Sequence, residues 1–160
     1  MIYTMRQVTR KEACEIIRKG VAEGTTKSED LKKVLFAVNN DVQVRDFLLG
    51  LRQYYKVDDV ANLIKEVLNE AELSQAVPLL TVMAAYAYED SEKEIANAFL
   101  SMAKLIDPDY SMITLLQRVF NAEWPSESFT TLRENLSTKV MENCYGVDGD
   151  KVIEEIKKEV

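Results

Sequence analysis

Carboxylates are the side chains with which this chain could do acid–base chemistry, because none of its 160 residues is histidine. The commonest general base, the usual catalytic triad and most zinc sites are thereby missing. The remaining candidates are closely spaced acid pairs: Asp58-Asp59, Glu89-Asp90 and Asp107/Asp109. Most of these acids fall at predicted helix ends, where a carboxylate near the N-terminus accepts hydrogen bonds from unpaired backbone N–H groups. Helix capping therefore explains most of them without a reaction.

Phosphate-binding and metal-binding patterns are also missing from the sequence. The five glycines are scattered and form neither GxGxxG nor GxxxxGK[ST]. Glu66 and Glu70 share one face of a predicted helix, but a two-metal carboxylate site takes comparable ligands from several helices. We therefore predict no catalytic residue, no cofactor and no metal ion, and we expect that the protein is not an enzyme.

The two cysteines, Cys14 and Cys144, lie far apart in the sequence. They fit neither a CxxC motif nor a zinc-ligand spacing. This arrangement predicts buried structural thiols, and it offers no support for a disulfide between them.

Four residues are candidates for contact with a protein partner: Trp124, Tyr110, Arg45 and Asp46. The arginine of the Arg45-Asp46 pair either holds its helix against a neighbour or receives an anionic ligand, and we favour the structural role. Tyr110 either packs over the following turn or stays exposed for a partner, and we favour burial. Trp124, the single tryptophan, either anchors an interface or closes one end of the domain.

Charge is unevenly distributed along the chain, whose net charge is −7. Residues 1–56 contain eleven Lys and Arg against seven Asp and Glu, whereas residues 57–160 contain nine against twenty. Two nucleic-acid roles remain open: imitation of DNA by the acidic part, or phosphate contact through Arg6, Arg10, Lys11, Arg18 and Lys19. The basic residues occur singly or in pairs, which favours an ordinary solvated surface. Nucleic acid is therefore the less favoured partner.

The N-terminal sequence MIYTMRQVTRKEACEII has no continuous apolar core and no small-residue cleavage site of a secretory signal. No segment reaches the roughly 20 apolar residues of a membrane span. We expect a cytoplasmic protein that does not contact a membrane.

Apolar residues recur at helical spacing along nearly the whole chain and predict a compact all-α fold of about eight to nine helices, arranged as antiparallel helical hairpins. The uncharged stretch AVPLLTVMAAYAY predicts a central helix. Predicted helices start at capping residues, two of them in capping boxes that begin at Thr9 and Ser91; the caps are Thr9, Ser28, Asp41, Asp58, Ser74, Ser91 and Asp107. Ser126 is predicted to be the first residue of the eighth helix. Pro108 is predicted at the first position of the helix that Asp107 caps. We expect one helical domain over residues 1–160, with mobile ends at 1–8 and 146–160.

The helix pair VPLLTVMAAYAYEDSEKEIANAFLSMAKLIDPDY resembles a tetratricopeptide hairpin. Ala84, Ala96 and Ala103 stand where that repeat has small residues, and Pro108 stands where it has its closing proline. The chain departs from the repeat because the large aromatic pair is missing and no second copy follows at a spacing of about 34 residues. The resemblance implies two closely packed antiparallel helices.

A longer stretch, from about Asp30 to Leu132, resembles the C-terminal part of an uncharacterised domain family of actinobacteria and their phages. The resemblance rests on the order of a few short motifs: Val44-Arg45-Asp46, the spacing of Ala96 and Ala103, Asp107-Pro108-Asp109-Tyr110, and Leu115-Leu116. Members of that family usually carry a further N-terminal region, so this chain is expected to be a shortened version. The family has no assigned activity, and the resemblance therefore implies fold and source alone.

Together these features predict a non-catalytic helical interaction module, phage-encoded, that acts on a host or phage protein or binds its own copy. The surface of the sixth to eighth helices and Trp124 are where we expect the contact. The uneven charge would steer a charged partner toward the protein.

Overall fold

The computed structural model describes residues 8–159, and all regular structure in that range is helical. Nine α-helices follow one another: α1 (Arg10–Glu23), α2 (Ser28–Asn40), α3 (Val42–Gly50), α4 (Val57–Asn69), α5 (Val77–Glu89), α6 (Lys93–Ile106), α7 (Ser111–Asn121), α8 (Ser126–Tyr145) and α9 (Gly149–Glu159). Short 3-10 helices cover Leu51–Gln53, Leu73–Gln75 and Gly146–Asp148. The predicted all-α fold is confirmed for this part of the chain.

Helix α5 lies at the centre of the molecule. It contacts α2, α3, α4, α6, α7 and α8, and nearly all of its side chains are buried. A helix that is apolar on every side has to be enclosed by neighbours. Pro78 is accommodated in its first turn, where a backbone N–H has no helical partner.

Helices α5 and α6 share the most extensive contact of any helix pair in the described chain. The turn between them is only a few residues long, so the helices run antiparallel. Ala84, Ala96 and Ala103 are fully buried, and their small side chains allow the two backbones to approach closely. The likeness of this hairpin to a tetratricopeptide repeat stays a prediction.

A second close approach joins α3 to α8 at Gly50. A Cβ atom at Gly50 would lie 2.8 Å from Ser137 Oγ and 3.5 Å from Ser137 Cα. A larger residue would therefore require the Ser137 side chain to shift. This contact helps to hold α8, and through it α9, against the N-terminal half of the core.

Local capping signals predicted some helix starts correctly. Thr9 Oγ1 accepts a hydrogen bond from Glu12 N at 3.1 Å, and Asp41 Oδ1 accepts one from Gln43 N at 3.0 Å. At the end of α1, Gly24 adopts a left-handed conformation with φ of 78°, which glycine takes at low cost. Ser126 is the first residue of α8, as predicted.

Five other predicted caps are wrong. Asp58 lies inside the first turn of α4, which Lys56 precedes, and Ser74 lies in a 3-10 helix. The others make different contacts: the Ser28 hydroxyl donates to Glu70 Oε1 at 2.8 Å, the Ser91 hydroxyl lies 3.1 Å from that of Ser126, and Asp107 Oδ1 accepts from Asp109 N at 3.2 Å. Asp107 and Pro108 consequently belong to the turn after α6, and Tyr110 immediately precedes α7.

Helix α9 packs on α8 and buries Val152 and Ile156. Buried residues from all nine helices belong to one hydrophobic core. The predicted mobility of 146–160 stays a prediction, and residues 1–7 of the other predicted mobile end lie outside the described part of the chain. Within residues 8–159, no helix is both long enough and apolar enough to cross a membrane.

Candidate functional site

Three of the four predicted interaction residues meet in one cluster. Arg45 on α3 donates from Nε to Asp46 Oδ1 at 3.0 Å, and its Nη2 lies 2.9 Å from the same oxygen. Its Nη1 donates to the Tyr110 hydroxyl at 3.1 Å, and the guanidinium carbon lies 5.8 Å from the centre of the Tyr110 ring. The cluster therefore ties α3 to the turn between α6 and α7.

The exposed fraction of the Arg45 side chain distinguishes a structural role from binding of a ligand. The Arg45 side chain is 11% exposed, and that of Asp46 is 25% exposed. Burial lowers the pKa of Arg45, but the hydrogen bond to Tyr110 and the charge of Asp46 outweigh it, so the pKa lies above its ordinary value. All three guanidinium nitrogens face groups of the protein itself. This favours the structural role, and a role of these residues in partner binding stays a prediction.

Replacing Tyr110 by phenylalanine is expected to lower the free energy of unfolding by about 1–2 kcal/mol. The change keeps the ring beside Arg45 but removes the oxygen that accepts from Nη1, and a charged donor without a partner loses a hydrogen bond of this size. Urea unfolding followed by circular dichroism measures the change.

A double-mutant cycle with Arg45→Ala separates the contact from other effects of Tyr110→Phe. We expect a coupling free energy of about 1 kcal/mol between the two positions, since they share a direct hydrogen bond. Strict additivity of the two changes would contradict the contact.

Trp124, the fourth candidate, lies at the other end of α7 from Tyr110. Trp124 is 39% exposed, and its backbone carbonyl accepts a hydrogen bond from the Tyr88 hydroxyl. The Tyr88 ring stacks on Phe120 at a centroid distance of 4.6 Å. The backbone of Trp124 thus closes this end of the core, while part of the residue stays exposed. The structure does not bring it together with the Arg45 cluster.

Glu89 is the last residue of α5, at a helix end as predicted, and its carboxylate forms an ion pair. Its side chain is 2% exposed and accepts from Arg133 Nε, which lies 2.8 Å from both carboxylate oxygens. Arg52 Nη1 lies 3.6 Å from Glu89 Oε2, and Arg52 Nη2 pairs with Asp90 Oδ1 at 2.6 Å. Arg133 Nη1 is buried without a hydrogen-bond partner. The pair therefore joins α5 to α8 as a buried structural ion pair.

Several basic residues of the first third are paired within the protein. Arg10 Nε lies 2.7 Å from Asp41 Oδ2, and Lys33 Nζ lies 3.3 Å from Glu12 Oε1. Arg18 is buried and pairs with Glu15 and Glu159. These contacts reduce the positive charge that the region offers to phosphates. Arg6 lies outside the described residues.

Cys14 and Cys144 are buried free thiols, as predicted. They lie on α1 and α8, two helices that contact each other. Cys144 Sγ lies 3.9 Å from the backbone oxygen of Gln43.

The outer side of α6 exposes large apolar side chains that sequence analysis did not single out. Ile95, Met102 and Leu105 are 48%, 50% and 86% exposed. With exposed Ala98 and half-buried Phe99, they form what we call the α6 face: Ile95, Ala98, Phe99, Met102 and Leu105. Spacings of three and four residues place these side chains on one side of a helix.

The signal for the α6 face was present in the sequence. Helix α6 has more apolar residues than it buries: Ala96, Leu100 and Ala103 are buried, and Phe99 and Ile106 pack only partly against the core. An apolar stripe wider than one contact implies a second contact. The apolar stripe alone does not identify the face, because a helix buried on several sides and an outer helix with an exposed apolar side have similar sequence patterns.

Comparison with known protein families covers most of the helices described above. A family model described as a domain of unknown function, DUF4192, matches residues 4–127. The chain belongs to the DUF4192 family. The match runs from before α1 to the first turn of α8, so it starts earlier and ends slightly earlier than the resemblance over Asp30 to Leu132. No curated protein and no solved structure is significantly similar to this chain.

The DUF4192 description carries no activity, so chemistry has to be judged from the residues. Among residues 8–159, no group of three or more His, Cys, Asp or Glu side chains is placed to hold a metal ion. The Arg45 cluster and the Glu89 pair lie inside the DUF4192 match apart from Arg133. Both have the geometry of contacts that hold helices together.

Proposed function

We propose that the protein is a non-catalytic interaction module that binds a protein partner through the α6 face. The observation that carries the proposal is Leu105, a large aliphatic side chain that is 86% exposed beside Met102 at 50%. A contiguous patch of exposed apolar residues is more often an interaction surface than an ordinary part of a protein surface.

The position of α6 supports this proposal. Helix α6 packs chiefly on α5 and less extensively on α7, so it lies at the outside of the helical stack. Helical spacing places its charged residues, Lys93, Glu94 and Lys104, away from the middle of the α6 face. The middle of the face is therefore free of charge, which is typical of the core of a protein interface.

The side-chain types suit the apolar side of a partner helix. A helix-in-groove or helix-on-helix contact is made by large apolar residues repeated at three- and four-residue spacings. Met102 adds an unbranched, flexible side chain that adapts to the opposing surface. Leu115 on α7 is also exposed, at 46%, and is available to extend the contact.

Site-specific photo-cross-linking tests the proposal. A benzophenone amino acid replaces Leu105 in one variant and the fully exposed Val147 in a matched control, and both are irradiated in extract of the cells that produce the protein. We expect one predominant cross-linked protein from position 105 and none from position 147. Mass spectrometry identifies the product.

Met102→Asp, introduced together with the cross-linker at position 105, should reduce the product at least tenfold, because a buried charge in an apolar interface is unpaired. Equal cross-linking at the two positions, or a product that Met102→Asp leaves unchanged, would rule out the α6 face as the binding surface. The test also shows whether the partner is a different protein or a second copy.

The finer parts of the proposal concern origin, location and fold type. The motif order from Asp30 to Leu132 supports an actinobacterial phage source, in which case the partner is a phage or host protein in the cytoplasm. The buried alanines of the α5–α6 hairpin support its likeness to a tetratricopeptide pair. The alternative nucleic-acid role has less support because Arg10 and Arg18 are paired with acidic residues.

A further inference from the structure

The charged residues around the α6 face indicate the kind of protein that it binds, and this inference rests on the proposed function. Four exposed acids lie at the two ends of the face. Glu92 immediately precedes α6 and Glu94 lies in its first turn. Asp107 and Asp109 belong to the turn that follows α6. Both ends of the α6 face are therefore negatively charged.

These acids are not neutralised within the protein. In the part of the chain that the structure describes, none of the four forms an ion pair. Asp90, by contrast, pairs with Arg52 at 2.6 Å. Residues 91–123, which include α6 and α7, contain five Asp and Glu against three Lys and Arg, a net charge of −2. The surroundings of the face are therefore acidic.

The lysines of α6 lie on the side of the helix that is turned away from the α6 face. Lys104 is four residues after the buried Leu100, and Lys93 lies about three turns before Lys104 on the same side. Glu94, in contrast, is four residues before Ala98, at the edge of the face. A partner on the α6 face therefore meets the acids of α6 and not its lysines.

A second copy of the chain is a poor partner for this face. Two α6 helices that pack face to face along their axes bring acids against acids in either direction, because both ends of each face are acidic. Helices in contact lie about 8–10 Å apart, which is about the screening length of charges at physiological salt. Like charges across an interface oppose association. The charges therefore favour a different protein with basic residues.

We propose that the α6 face binds an amphipathic helix of another protein, one that has Lys or Arg beyond both ends of its apolar stretch. Ile95, Ala98, Met102 and Leu105 follow one another at spacings of three, four and three residues. This is the spacing of residues at the seam between two helices packed side by side. The four side chains cover about 15 Å of helix axis, so the apolar stretch of the partner is about three turns long.

Two fluorescent helical peptides with the same apolar stretch test the proposal. One has lysines at both ends and the other has glutamates, and fluorescence anisotropy measures their binding to the full chain. At low salt we expect the lysine peptide to bind at least tenfold more tightly than the glutamate peptide. At about 1 M salt the difference should fall below about threefold, because charges are then screened within about 3 Å.

Two charge variants locate the effect. Glu94→Lys should weaken binding of the lysine peptide at least fivefold at low salt, because it places a like charge at the edge of the face. Asp148→Lys makes the same change in net charge at an exposed position of the 3-10 helix after α8, and it should change the affinity less than twofold. Circular dichroism first establishes that both variants are folded.

The outcomes distinguish this inference from the proposed function. Equal affinity of the two peptides, with binding that Met102→Asp abolishes, would overturn the basic partner but leave the α6 face as a binding surface. The inference would also fail if the lysine peptide did not bind, if Met102→Asp left its binding unchanged, or if Glu94→Lys and Asp148→Lys had equal effects. A homodimer in analytical ultracentrifugation that Met102→Asp dissociates would show that the occupant is a second copy. Photo-cross-linking from position 105 separately decides whether the face binds any protein.

Discussion

Replacing Glu89 by glutamine is expected to lower the free energy of unfolding by about 3–5 kcal/mol, the typical cost of removing one partner from a buried ion pair. The Glu89 carboxylate is 2% exposed, and Arg133, which binds it at 2.8 Å, is 6% exposed. Glutamine has a similar shape but no charge, so the guanidinium of Arg133 would stay buried without a counter-ion. Urea unfolding at neutral pH measures the loss.

Two controls separate charge from packing at this position. Asp90→Asn removes the neighbouring acid, whose side chain is 37% exposed and pairs with Arg52, and should cost less than about 1 kcal/mol. The double variant Glu89→Met with Arg133→Met removes both charges of the pair and should recover most of the stability that Glu89→Gln loses. A loss below about 1 kcal/mol for Glu89→Gln would contradict the buried pair.

Helix content and the central position of α5 could be predicted because they depend on local pattern. The caps at Thr9 and Asp41 use side chains within three residues of the N–H groups that they satisfy. The uncharged run in α5 leaves burial as its only stable environment. Such signals need no knowledge of what lies across the fold.

The wrong caps show where local reasoning fails. Ser91 has the sequence of a capping box but adopts a φ of 61°, and its hydroxyl pairs with Ser126 on another helix. Ser28 instead contacts Glu70, far along the chain. A short polar side chain has several partners of similar energy, and tertiary neighbours decide among them.

The candidate site divides in the same way. Arg45 and Asp46 were recognisable as a pair because they are adjacent, but their contact with Tyr110 depends on how α3 meets the α6–α7 turn. The contact of Cys144 with the backbone oxygen of Gln43 likewise requires α8 to pack on α3. Spacing in the sequence contains no signal for either contact. Exposure of Leu105 is a further property of the assembled fold, since it depends on which helices surround α6.

Stability is expected to fall steeply as the pH rises above about 10, the ordinary pKa of a tyrosine side chain. Tyr86 is 3% exposed, its hydroxyl donates to the backbone oxygen of Leu48, and burial raises its pKa well above the ordinary value. Burial and a hydrogen bond to Glu159 raise the pKa of Tyr55 to about 12. Both phenols are therefore neutral in the folded protein at pH values where they ionise in the unfolded chain.

The sign follows from the protons bound in each state. Below pH 10 both states hold the phenolic protons, and the stability is fully present. Above pH 10 the unfolded state loses them while the native state retains them, so unfolding becomes easier until the pH passes the folded pKa. Tyr86 alone should account for about 1.4 kcal/mol of lost stability per pH unit in this range.

Urea unfolding at a series of alkaline pH values, for wild type and Tyr86→Phe, tests this expectation. The variant lacks the hydrogen bond to Leu48 and should be less stable by about 1–3 kcal/mol below pH 10. Above that pH its stability should fall less steeply with pH, because unfolding of the variant releases nearly one proton fewer than unfolding of the wild type. Comparing slopes removes the constant packing difference between the two proteins. Parallel slopes would show that the Tyr86 phenol ionises equally in both states, which a buried phenol bonded to a carbonyl oxygen does not do.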